Sequence, residues 1–126
     1  MKKLVISESV DTVVEKLLAG IDAVNMRVVA HINGQANARK LGKEVPADQI
    51  LEVFRPDFAI RVWQASKPAG IEIPLRIHVY EQAGATHVAC RMPGETFAPY
   101  DSAELSGIGA ELDVIFGDIL RFVAPD

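Results

Sequence analysis

Cysteine, tryptophan and tyrosine are scarce in this chain: one, one and two among 126 residues. A lone cysteine, Cys90, excludes an intramolecular disulfide and any zinc or redox motif built on paired cysteines. Long apolar runs are missing too, and nothing approaches the roughly 20 residues that a membrane-crossing helix needs. The opening MKKLVISES imitates a secretion signal, but its apolar stretch Leu4-Val5-Ile6 is too short for that role and Glu8 follows. Runs of basic residues stop at Lys2-Lys3, the net charge is -4 and the pI is ≈ 5.3. Nucleic acid and anionic membrane surfaces are held by clustered Lys and Arg, so neither is expected as a partner. No HExxH and no lysine-bearing phosphate loop occur, and Gly107-x-Gly109 lacks the preceding strand and third glycine of a dinucleotide loop. These absences leave a cytoplasmic protein as the expectation.

What is present suits one soluble domain spanning residues 1–126. The chain is 49% hydrophobic and 24% charged, and a domain of this size buries about two-thirds of the surface it exposes when unfolded. Residues 3–7 read as a strand. Val10, Val13, Val14, Leu17, Leu18, Ile21 and Val24 then recur at helical spacing, opened by Ser9 or Thr12 and closed at Asn25. MRVVAHI is the next strand, with Met26, Val28, Ala30 and Ile32 on one face and Arg27, Val29 and His31 on the other. A short helix follows, ended by Gly42, and QILEVF is a third strand. Pro56 opens a second long helix, on which Trp63 is expected to face the core. A hairpin, a loop marked by Pro93, Gly94 and Pro99, and a last helix seamed by Leu105, Ile108, Leu112, Ile115, Ile119 and Phe122 complete the chain. Gly107, Gly109 and Gly117 weaken that last helix on propensity alone. The fold class is α+β: an antiparallel sheet packed on helices, in the order strand-helix-strand-(short helix)-strand-helix-hairpin-helix.

The stretch RIHVYEQAGATHVACRM gathers two histidines, the cysteine, a tyrosine and a methionine. A turn at Ala83-Gly84 sets Tyr80 opposite His87 and His78 opposite Ala89. Alternation then sends Leu75, Ile77, Val79, Val88, Cys90 and Met92 to one side and Arg76, His78, Tyr80, His87, Ala89 and Arg91 to the other. Cys90 and His87 cannot share a metal, and Cys90 belongs to the core. If the strand of His31 adjoins the hairpin, the candidate ligand-binding residues His31, His78, Tyr80, His87, Arg27, Arg76 and Arg91 share one surface. Imidazoles and guanidiniums together suit a small anionic ligand or an acidic partner surface. Three histidines also suit zinc, copper or haem iron.

With ANARKLGKEVP, EVFRP and VWQASKPAGIEIPLRIHVYE in order along the chain, nearly everything from Ser7 onward resembles the bacterial and archaeal proteins grouped as domain of unknown function 302. Ile73-Pro74-Leu75-Arg76 leading into Val79-Tyr80-Glu81 is the most specific part. The resemblance implies a curved, TATA-binding-protein-like antiparallel sheet backed by helices, and it carries no established activity or cofactor. Fold is not function, so it implies no DNA binding. Two departures stand out. Asn33-Gly34 replaces an Asp-His, and Arg55-Pro56 replaces a Gly-Asn-Pro.

Three functions compete. The residue pattern favours a non-enzymatic module, expected to be a homodimer, that binds a small anionic ligand, a metal or a protein through the His/Arg/Tyr face. An enzyme using one of the histidines as acid–base residue beside Tyr80 needs a concave pocket. A structural subunit would use the same face as an interface.

Overall fold

The computed structural model describes residues 1–125. The elements run β1 (Lys2–Ile6), α1 (Val10–Ala23), β2 (Arg27–Asn33), α2 (Gly34–Arg39), β3 (Asp48–Phe54) and α3 (Pro56–Ala65). A short 3-10 helix (Lys67–Glu72) leads to β4 (Leu75–Gln82) and β5 (Ala85–Cys90), then α4 (Pro93–Phe97) and α5 (Ala103–Leu120). The strands form one open antiparallel sheet in the order β1-β5-β4-β3-β2. The expected α+β class and element order are both present.

Local chemistry sets the helix ends. Ser9, rather than Thr12, caps α1, its hydroxyl accepting from the Thr12 amide at 3.2 Å. At the other end Asn25 takes a left-handed φ of 60°. The Asn25 amide then reaches the Asp22 carbonyl and the Met26 amide the Ile21 carbonyl, both at 3.0 Å. These two bonds close the helix and aim the chain into β2. Ser102 caps α5 in the same way, accepting from Leu105.

Burial alternates along β3, β5 and β4 as far as Tyr80, so the sheet packs helices on one face only. Leu51, Val53, Ile77, Val79, Val88 and Cys90, all nearly inaccessible, meet Val13, Leu17, Ile21, Phe97, Leu112, Phe116 and Ile119 in one apolar cluster. Each such side chain contributes roughly 1.5–3 kcal/mol. Cys90 is 1% exposed and belongs to this core, as alternation requires. Burial and the neighbouring Asp113 and Glu95 carboxylates push its thiol up to about 12.

Three expectations need correction. The segment around Pro93 is helical, because proline suits a first helical turn and the Asp113 carboxylate accepts from the Gly94 amide at 2.9 Å. Gly109 lets α4 cross α5 at close range: a Cβ there would stand 2.9 Å from the Gly94 Cα. Trp63 is 41% exposed, its ring lying under the Lys67 ammonium and against Gly70 instead of in the core.

Candidate functional site

The hairpin register is the expected one: Tyr80 pairs with His87, His78 with Ala89 and Ile77 with Cys90. On the helix-free face His78, Tyr80 and His87 stack in sequence, with ring centroids 4.6 Å and 5.1 Å apart. Asp48, directly opposite Tyr80 on β3, accepts from His78 Nε2 at 3.0 and 3.1 Å.

His31 does not join them. β3 lies between β2 and the hairpin, so the adjacency needed for three histidines on one surface is absent. A β-bulge between Val28 and Ala30 also reverses the alternation of β2. Beyond the bulge His31 pairs with Leu51, which pairs with Ile77, and all three share the helix side. Ala30 and Ile32 turn outward with Glu52 and Ile50. His31 Nε2 donates to Gln49 Oε1 at 2.6 Å, and Gln49 Nε2 donates to Asp11 on α1 at 2.9 Å. Sequence reasoning missed this relay because Gln49 reads as an ordinary strand residue.

The ring nitrogens bear on the metal reading. Asp48, the Gln82 carbonyl and Gln49 Oε1 are acceptors, so each histidine uses Nε2 as an N–H donor. Only Nδ1 is left to each ring. Among the described residues no group of three or more His, Cys, Asp or Glu side chains is placed to hold a metal ion.

The arginines separate as well. Arg27 stands at a far corner, opposite Phe54 on the edge strand β2. Arg76 and Arg91 come together one step beyond the last hairpin pair, Ile77–Cys90. They line a cavity of ≈ 420 Å³ with Glu52, Thr96 and the stretch from Ile71 to Leu75, which includes Glu72. Arg76 Nε donates to Glu52 at 3.3 Å, and an Arg91 terminal nitrogen donates to Glu72 at 2.9 Å. The Tyr100 hydroxyl donates to the second Glu72 oxygen at 2.6 Å. That bond raises the Tyr100 pKa above its ordinary value, burial adds to the effect, and Arg91 opposes it.

A cavity of ≈ 470 Å³ at the other end of the sheet lies beside Glu8, Asp11, Glu81 and the hairpin tip. Two of its carboxylates are already engaged, Glu8 by Lys16 at 2.7 Å and Asp11 by Gln49. No cation lines it. The two departures from the family pattern sit at opposite ends of β3: Asn33 pairs with Gln49 and caps α2, while Arg55 follows Phe54 at the N-cap position of α3 without a side-chain cap bond. They do not line one pocket.

A five-stranded open sheet with helices on one face and a polar, two-arginine cavity at one end defines an α+β protein with an unclad sheet surface. The chain matches the family model described as "Domain of unknown function DUF302" over residues 2–121, and it belongs to that family. Its fold is similar to the crystal structure of an uncharacterized conserved DUF302 protein from Bacillus stearothermophilus. The TM-score is 0.86 at 20% identity, covering 97% of this chain and 96% of that one. At that identity the likeness concerns the fold. No curated protein matches the chain. No helix among the described residues is long and apolar enough to cross a membrane.

Proposed function

We propose that the protein is a cytoplasmic, single-domain, non-enzymatic binding module, and that its ligand is a small molecule bearing a carboxylate or phosphate. The site is the cavity between the start of β4 and the end of β5. One observation carries this reading: two guanidiniums on adjacent chain segments open onto the same concavity, and each donates only one hydrogen bond to its carboxylate. A guanidinium has five N–H donors in a planar fork, so most of the donor capacity here is unspent. Glu52 and Glu72 offset the repulsion between the two like charges without using up their donors. The volume lies within the range of small-molecule sites, about 300–1,000 Å³.

The His78–Tyr80–His87 row contributes an adjoining surface, not the anion-receiving groups. His31 and Arg27 fall outside the site. Calorimetric titration of the purified protein with small carboxylates, phosphates and free amino acids tests the reading. At least one of these binds, and Arg76→Gln or Arg91→Gln removes the binding. Absence of binding by every compound rejects it.

The open sheet face supports a second reading, self-association as a homodimer. Val5 is 67% and Ile32 39% exposed on that face, flanking a row of polar groups already paired with one another. Light scattering at micromolar concentration is expected to show a dimer that Val5→Glu dissociates. A monomer across that range removes this reading and leaves the cavity untouched.

A further inference from the structure

We infer that the cavity selects a zwitterion, with the carboxylate of a free amino acid on Arg76 and Arg91 and its ammonium on Glu52. This deepens the proposed binding function and rests on it. The cavity holds two cations and two carboxylates, so it is neutral and dipolar rather than basic. A plain anion entering it would gain the guanidiniums but meet Glu52 and Glu72 at the same time. A ligand with both charges matches both halves.

The two carboxylates are not equivalent. Both oxygens of Glu72 are occupied, one by Arg91 and one by the Tyr100 hydroxyl. Glu52 accepts from Arg76 alone among the described residues, and only through one oxygen at 3.3 Å. Its side chain is 17% exposed, yet the other oxygen is not sealed away, since no buried side-chain oxygen lacks a partner among the described residues. A carboxylate on a mostly buried side chain that lines a cavity, with one oxygen lacking a protein donor, is where an ammonium gains most. Arg76 sits directly opposite Glu52 across β3 and β4, so the opposite charges stand side by side as in an α-amino acid. The stretch from Ile71 to Leu75 lines the remainder of the cavity.

The test uses the full chain and the proteinogenic amino acids as probes, followed for each binder by its deaminated acid and its decarboxylated amine. At least one amino acid binds, and each single-charge analogue binds about 10- to 100-fold more weakly, the equivalent of one charge-assisted hydrogen bond. Glu52→Gln, which keeps an acceptor for Arg76, abolishes the preference for the amino acid over its deaminated acid and tightens binding of the acid itself, since one of the two carboxylates that oppose it is gone. If carboxylates or phosphates bind as tightly as amino acids, the zwitterion inference fails and the anion-binding function stands. If no compound binds, both fail. If Glu52→Gln leaves the preference intact, Glu52 is not the ammonium's partner and the inference is overturned.

Discussion

Gly107 and Gly109 lie two residues apart in α5, on nearly opposite sides of the helix, so the same substitution at each should move stability in opposite directions. Alanine exceeds glycine inside a helix by about 1 kcal/mol, partly by restricting the unfolded chain. At Gly107 a Cβ meets nothing within 4 Å, so Gly107→Ala keeps the whole gain. At Gly109 the Cβ would stand 2.9 Å from the Gly94 Cα and 3.3 Å from its amide nitrogen. Those are backbone atoms of α4, held in turn by the bond from Gly94 to Asp113, and they cannot swing aside like the end of a lysine. Overpacking of this kind costs about 1–3 kcal/mol, so it cancels the propensity gain and exceeds it by up to about 2 kcal/mol. For a chain of 126 residues, 1 kcal/mol moves the melting temperature by roughly 4 °C. Thermal melts followed by circular dichroism should show Gly107→Ala rising by about 3–4 °C and Gly109→Ala falling by up to about 8 °C. A Gly109→Ala protein at least as stable as Gly107→Ala would refute the close crossing of α4 and α5.

Cys90→Ser puts a hydroxyl where a buried thiol packs, and leaving it unsatisfied costs about 1–3 kcal/mol. Urea denaturation should show that loss with ligand binding unchanged, and an unchanged midpoint would place Cys90 outside the core. The same burial, which raises the thiol to about 12, predicts that iodoacetamide at pH 8 labels the native protein far more slowly than the urea-unfolded chain. Equal labelling rates would contradict it. Tyr100 offers a pH test with a definite sign. Its folded pKa lies above the unfolded value because its hydroxyl donates to Glu72, so the contribution is complete below the unfolded pKa and is lost as pH rises through the folded one. Glu72→Gln should move the alkaline phenolate transition at 295 nm to lower pH, and an unmoved curve would remove the Tyr100–Glu72 bond from the account.

Legibility in the sequence followed the range of the forces involved. Cap, turn and alternation are local, so Asn25, Pro56 and the Tyr80–His87 register could be read directly, and the first helix cap was narrowed to Ser9 or Thr12. The same alternation sent Cys90 inward correctly. His31 failed because a bulge reverses alternation, and nothing in RVVAHIN marks one: Val29 is simply an extra residue that only pairing with β3 reveals. Strand order is likewise non-local, and with β3 interposed the three histidines could not assemble. The arginine cavity was half visible. Arg76 and Arg91 followed from parity, but Glu52 needed the register of β3 against β4, and Glu72 needed the path of the chain between α3 and β4. Trp63 misled because its apolar ring fits the α3 seam, while a lysine and a glycine four and seven residues on give it a surface perch. The match to the family survived these misses, since it depends on the order of segments and not on any one site.

The Nε–Hε resonances of Arg76 and Arg91, followed by nuclear magnetic resonance while free amino acids are titrated into the protein, report most directly on whether the cavity binds. Both resonances should shift and saturate together with one binder, with those of Arg27 and Arg121 still. Shifts that spare Arg76 and Arg91, or that appear equally on all four, would mean that the paired guanidiniums are only surface ion pairs.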